Sequence, residues 1–141
     1  MEIKIRYHHN VMPIEIIKEG DWIDLRASRR AVLYQGESAL IPLGVSMKLP
    51  DGYEAVVIPR SSTFKKYGVI QTNGVGLIDN SYCGDTDIWH FPAYAVRDTV
   101  IEKNERICQF RIQKKMEVPT FKVVDHLEDE ARGGFGSTGR I

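Results

Sequence analysis

The chain has little cysteine. Cys83 and Cys108 stand alone, without a second thiol or an imidazole at metal-ligand spacing. A disulfide-stapled secreted domain and a zinc knuckle are both excluded, and a reducing, cytoplasmic setting is expected. The four histidines, His8, His9, His90 and His126, form no ligand spacing either, and no catalytic role is expected of them. There is no excess of one charge: 19 Lys and Arg face 19 Asp and Glu. Without a broad basic field, direct nucleic-acid binding is not expected, and any anion site must be local. No run is apolar enough to span a bilayer. The opening Met1-Glu2-Ile3-Lys4-Ile5-Arg6 alternates like a strand instead of reading as a leader. Internal repeats and low-complexity linkers are also missing.

At 141 residues the chain can build one core. Its dominant period is two. Val45, Met47 and Leu49 alternate with Ser46 and Lys48, and Cys108, Phe110 and Ile112 alternate with Gln109, Arg111 and Gln113. Both runs read as half-buried antiparallel strands, with Cys108 on the apolar face. Pro50-Asp51-Gly52 marks a turn, because proline presets φ and glycine accepts the left-handed position. Further short strands are expected near 2–7, 22–26, 30–34, 38–43, 53–59, 69–72, 87–90, 93–96, 98–102 and 120–124. One helical turn is expected from Ser61 to Tyr67, opened by a serine cap. The fold class is therefore all-β, a jelly-roll-like barrel or sandwich. From about Asp125 charged residues give way to glycines. This divides the chain into a β domain over 1–124 and a mobile C-terminal arm over 125–141.

Several segments can carry chemistry. The arm ends Arg132-Gly133-Gly134-Phe135-Gly136-Ser137-Thr138-Gly139-Arg140-Ile141. Its glycines let backbone N–H groups approach an anion, yet no lysine precedes the hydroxyls as a Walker loop requires. Pro59-Arg60-Ser61-Ser62 combines a guanidinium, two hydroxyls and a helix start, which suits a phosphate or a simple cap. Leu77-Ile78 reads as a buried strand end delivering Asp79 to a turn, as turn-former or general base. The segment from Thr72 to Ile78 reads as a possible hairpin, with Asn73 able to read a base edge or only shape the turn. Asp24 sits in the apolar run Trp22-Ile23-Asp24-Leu25-Arg26, to pair with Arg26 or to hold a cation near phosphates.

Together these segments resemble the trimeric dUTP diphosphatase (dUTPase) family, in the form found in phages and prophages of Gram-positive bacteria. The matching motifs are Asp24-Leu25-Arg26-Ala27, Pro59-Arg60-Ser61-Ser62, Gly76-Leu77-Ile78-Asp79 with Tyr82 and Gly84, Arg106-Ile107-Cys108-Gln109, and Gly134-Phe135-Gly136-Ser137-Thr138-Gly139. The resemblance implies a homotrimer with three shared active sites that hydrolyses dUTP to dUMP and diphosphate with Mg²⁺. It implies that Asp79 activates the water that attacks the α-phosphorus. Asn73, with the backbone around Gly76 and Ile78, would read uracil, and Tyr82 would exclude a 2′-hydroxyl. Arg60, Ser61, Ser62, Lys66 and Gln109 would contact the phosphates, and Asp24 would reach the metal through water. Arg132, Phe135, Gly136, Ser137 and Thr138 would close over the site. The second motif departs from the usual Ser-Gly ending, and Arg132 stands nearer Phe135 than is usual. Trp89 or Phe91 therefore competes with Phe135 as the aromatic cover, with core packing the alternative for both. Two other roles fit the same resemblance. One is dCTP deamination, alone or combined with diphosphatase activity, although Cys83 occupies the position of the deaminase glutamate. The other is binding of a repressor partner.

Overall fold

The alternation in the sequence folds into eleven strands and one short helix in the computed structural model, which describes residues 1–141 except 137 and 140. The strands are β1 (Lys4–Tyr7), β2 (Ile23–Arg26), β3 (Ala31–Leu33), β4 (Ser38–Pro42), β5 (Val45–Lys48), β6 (Tyr53–Pro59), β7 (Val69–Gln71), β8 (Gly76–Ile78), β9 (His90–Ala95), β10 (Thr99–Ile101) and β11 (Arg106–Lys114). Helix α1 spans Thr63–Tyr67. All pairings are antiparallel. One sheet runs β2-β11-β6-β8, a second runs β4-β9-β7, and β1-β5 and β3-β10 form two-stranded ribbons. This is the expected all-β architecture.

The inward faces meet in one core that includes Leu25, Ile41, Val57, Ile107 and Cys108. At its centre Trp89 meets Phe110 edge to face, with centroids 5.3 Å apart, the arrangement that aromatic quadrupoles favour. Burial pushes the Cys108 thiol up, so it packs as a small hydrophobe. The turn at Pro50-Asp51-Gly52 closes with Tyr53 N–H donating to the Pro50 carbonyl, 3.1 Å.

Four expectations need correction. Residues 87–90 and 93–96 do not form two strands. The single strand β9 runs through Pro92, which it tolerates because the β7 ladder stops at Gln71↔Ala93 and Thr72 N–H then donates to the Pro92 carbonyl. The stretch 120–124 forms no strand. Among the described residues regular structure ends at Lys114, and Val118, Phe121 and Val123 are exposed, since no strand among them pairs with this stretch. Leu77 is not buried: it is 72% exposed on the outer face of β8. The segment from Thr72 to Ile78 is no hairpin, because β7 and β8 lie in different sheets and the chain crosses between them.

Candidate functional site

The residues singled out in the sequence gather in two clefts of the chain, which share no lining residue. The first, about 400 Å³, is lined by Asn73, Leu77, Ile78, Asp79, Ser81, Tyr82, Trp89 and His90, among others. Its shape follows from the crossover between sheets. The Gln71 side chain is buried at the foot of the crossover and donates from Nε2 to the Val57 carbonyl, 3.1 Å, tying the end of β7 to β6. Gly76 leaves little room there: a Cβ would lie 3.1 Å from Gln71 Nε2 and 3.2 Å from the Val57 side chain, so these neighbours would have to give way by a few tenths of an ångström. Asn73 stays exposed at the tip, where its carbonyl accepts from Val75 N–H at 2.7 Å.

Asp79 follows β8 directly and is exposed. Its Oδ1 accepts from both the backbone N–H and the hydroxyl of Ser81, each at 2.8 Å. Among the described residues Oδ2 has no hydrogen-bond partner. The Ser81 bonds hold the carboxyl below the usual carboxylate range. The next residue anchors the turn: Asn80 Nδ2 donates to the Pro50 carbonyl at 2.8 Å. The Tyr82 hydroxyl donates to the Ile88 carbonyl at 2.9 Å, which sets its ring as one wall of the cleft. Burial pushes its phenol up.

The second cleft, about 330 Å³, is lined by Asp24, Arg60, Ser61, Arg106 and Gln109, with Trp22 and the acidic segment Glu15 to Asp21 at its rim. Here β2 and β11 lie side by side with Asp24 opposite Gln109, and a register shift between Arg106 and Cys108 re-aims the start of β11. Asp24 does not pair with Arg26. Its Oδ1 meets Arg60 Nε at 3.2 Å and its Oδ2 meets Arg106 at 3.8 Å, whereas Arg26 meets Glu15 at 3.8 Å. Glu15 also binds Arg106 at 3.0 Å. Gln109 donates to the Pro59 carbonyl at 3.1 Å, and Arg111 stacks on Trp22, 5.4 Å from the ring centroid.

The serines in this cleft differ from the expected cap. Ser62 stands at the N-cap position of α1 but makes no side-chain cap bond. Buried Thr63 holds the turn: its Oγ1 accepts from Arg60 N–H at 2.9 Å and donates to the Ile107 carbonyl at 2.8 Å. Ser61 and Ser62 are exposed, with hydroxyls uncommitted among the described residues.

The remaining predicted residues lie elsewhere. Lys66 meets Glu105 at 3.4 Å, and Glu105 also binds the Tyr67 hydroxyl, so this group ties α1 to the β10–β11 turn. Trp89, which backs the first cleft, and Phe91 are fully buried, so of the two expected roles for these rings, aromatic cover or core packing, both take core packing. Arg132, Phe135, Gly136 and Thr138 are exposed, and Ser137 lies outside the described residues. Trp22, Arg106 and His90 were missed as cleft residues. Arg106 stands in the Arg106-Ile107-Cys108-Gln109 motif and Trp22 opens the run that holds Asp24, both available signals, whereas His90 carries no local mark.

Among the described residues no three His, Cys, Asp or Glu side chains come together to hold a metal. No helix among them is long and apolar enough to cross a membrane.

A family model described as dUTPase matches residues 22–139. The chain is 56% identical over 140 residues to the SPbeta prophage-derived deoxyuridine 5′-triphosphate nucleotidohydrolase of Bacillus subtilis, covering 99% of each protein. Among solved structures, a mutant dUTPase of Staphylococcus bacteriophage 80alpha with dUpNHpp superposes with a TM-score of 0.79 at 22% identity, over 99% of both chains. A mutant dUTPase of phage phi11 of S. aureus, described for its coordination of a structural Mg(II) ion, gives 0.76 at 18% identity, over 92% of this chain and 100% of that one. With the family match running from the strand that carries Asp24 to the glycines of the arm, the chain belongs to the dUTPase family.

Proposed function

We propose that this protein hydrolyses dUTP to dUMP and diphosphate, in the cytoplasm. The reading is supported by family membership and by the near full-length relative named as a deoxyuridine triphosphate nucleotidohydrolase. One observation carries the chemistry: Asp79 stands in a cleft with one carboxylate oxygen held by Ser81 and the other uncommitted.

Phosphoanhydride hydrolysis asks a protein for positioning, charge neutralisation and one base. Uracil enters the first cleft, where the Asn73 amide and the crossover backbone pair with its edge. Cytosine presents the opposite donor pattern and would leave buried polar groups unpaired. The Tyr82 ring packs on the deoxyribose and leaves no space for a 2′-hydroxyl. Asp79 Oδ2 accepts a proton from water as the water oxygen bonds to the α-phosphorus. The bond from that phosphorus to the bridging oxygen breaks, and diphosphate leaves. Arg60, Ser61, Ser62 and Gln109 bind the phosphate chain, and Arg60 is already oriented by Asp24. Lys66 supports this group through the Glu105 contact that fixes α1.

A single chain keeps the nucleoside cleft and the phosphate cleft separate, which supports a homotrimer in which each site joins one cleft from each of two copies. The β domain over 1–124 supplies both clefts. The arm over 125–141, with Arg132, Phe135, Gly136, Ser137 and Thr138, closes over the joined site. Mg²⁺ fits in one way. Both oxygens of Asp24 face arginines and no carboxylate cluster is present among the described residues, so the ion would be held by the phosphates and water, with Asp24 outside its first shell. Bound there, the ion would neutralise charge on the phosphate chain.

Incubating the protein and Mg²⁺ with dUTP, dCTP, dTTP and UTP, and resolving the products, tests the reading. Only dUTP is expected to be consumed rapidly, with dUMP and diphosphate appearing in equal amounts. Release of ammonia from dCTP would overturn it in favour of the deaminase reaction.

A further inference from the structure

Beside the nucleoside cleft lies a third cleft that the reaction above does not use. It is lined by His9, Arg29, Arg30 and His90 together with aliphatic residues and Pro42, and it has no acidic lining residue. It shares Leu40, Ile88 and His90 with the nucleoside cleft, so the two meet at a common wall.

His9 is built in firmly. Both His9 and Asn10 have left-handed backbones, with φ of 59° and 52°, a strained conformation for consecutive non-glycine residues. The turn is pinned where His8 N–H donates to the Gly44 carbonyl at 2.8 Å. Gly44 is itself obligatory, since a Cβ there would lie 2.6 Å from Ser28 Cβ and 3.0 Å from the His8 carbonyl. Ser28 is wholly buried, and its hydroxyl donates to the Pro42 carbonyl at 3.0 Å. It therefore accepts at 2.7 Å from His9 Nδ1, which must carry the proton. Nε2 is then the nitrogen that titrates.

The charges facing His9 are of one sign. Burial first, and then the charges of Arg29, His8, Lys103 and His90, hold its imidazole below the usual histidine range. Arg30 is balanced by Glu102 at 3.1 Å, and His8 is engaged with Ser46 at 2.9 Å. Arg29 has no ion-pair or hydrogen-bond partner among the described residues. Arg29, a guanidinium without a counter-charge, in a cleft with no carboxylate suits a compact oxyanion, and His9, whose Nε2 carries only a lone pair while the imidazole is neutral, joins such a site by taking up a proton as the anion binds.

We infer that the cleft formed by His9, Arg29, Arg30 and His90 is an accessory oxyanion site of the phosphate class, next to the nucleoside cleft and distinct from the phosphate grip at Arg60. Inorganic diphosphate, with several negative oxygens and no base, fits it better than a nucleotide, whose base and sugar would have to leave the adjoining cleft. Occupied by diphosphate, it would crowd the shared wall at His90 and slow entry of the next nucleotide.

The test titrates the histidine NMR signals of the intact protein without metal, in chloride and in inorganic diphosphate at equal ionic strength, with His9 assigned by His9→Gln. Diphosphate is expected to raise the His9 midpoint. Arg29→Gln should weaken the response roughly tenfold, the loss of one charge-assisted contact, while Arg60→Gln should leave it unchanged. Initial dUTP turnover by Arg29→Gln should equal that of the parent. The inference is overturned if diphosphate leaves His9 unmoved. It is also overturned if Arg60→Gln abolishes the response, or if only dUpNHpp moves His9, which would make these charges part of the nucleotide site. Because binding is read without turnover, a failure here is distinct from a failure of the dUTPase reaction, which the product assay decides.

Discussion

The nucleoside cleft and the phosphate cleft are built on opposite plans. In the first the lining side chains are set by short-range contacts, Asp79 by Ser81 two residues on, Tyr82 by Ile88 and Asn73 by its own turn, on a frame that Gln71 to Val57 and Asn80 to Pro50 tie to distant strands. The second is made of long-range ones: Asp24 on β2 meets Arg60 after β6 and Arg106 on β11. A cleft that reads shape and hydrogen bonds can orient its side chains locally once the frame is in place. A cleft that gathers charge needs a sheet to hold like charges together and counter-charges to orient them. In the proposed reaction each plan supplies half of what hydrolysis requires, and substitutions separate the halves.

The largest effect is expected at the base. Asp79→Asn keeps the shape and the Ser81 bonds but loses the basic oxygen. Turnover should fall by roughly two to four orders of magnitude, while binding of dUpNHpp, measured by calorimetry, stays close to that of the parent. Near-normal turnover would remove Asp79 from its role. Next comes the arm, which belongs to neither cleft. Deleting 132–141 should lower turnover about a hundredfold through the loss of N–H donors and water exclusion. The melting temperature should not change, since the described residues of this segment are exposed. A full rate without the arm would make the two clefts sufficient.

These two expectations also separate what was legible in the sequence from what was not. The alternation of β5 and β11, the Pro50 turn and the Asp79 motif are written in consecutive residues, and their elements follow. The partner of Asp24 was not legible. Arg26 is adjacent in sequence, but strand geometry sends it to Glu15, and only the sheet brings Arg60 and Arg106 to Asp24. Pro92 read as a break because its tolerance depends on where the neighbouring ladder ends. The serine cap misled because Thr63 bridges α1 to β11, a contact between distant segments. The alternating residues of 120–124 have the pattern of a strand but no partner strand among the described residues.

Smaller effects sharpen the nucleoside side. Tyr82→Ala removes the wall beside the sugar, so the preference for dUTP over UTP in kcat/KM should fall about tenfold, with some loss of dUTP binding. An unchanged preference would place sugar selection elsewhere. The smallest effect is a pH shift. The Asp79 carboxyl is held low by two Ser81 bonds, so the basic form persists above that lowered value and is lost as pH falls through it. Ser81→Ala removes the hydroxyl bond and raises the carboxyl toward its ordinary value. The acid limb of kcat/KM should move upward by less than about one pH unit. A limb that stays in place would mean that another group controls it.

The central claim is that one copy supplies the nucleoside cleft and another the phosphate cleft. Mixing Asp79→Asn subunits with Arg60→Gln subunits, each nearly inactive alone, tests it directly, with mixed trimers verified by native mass spectrometry. In a random mixture about a quarter of the joined sites combine an intact Asp79 from one copy with an intact Arg60 from the other, so activity should rise well above the sum of the two parents. Mixed trimers no more active than their parents would show that each chain builds its site alone.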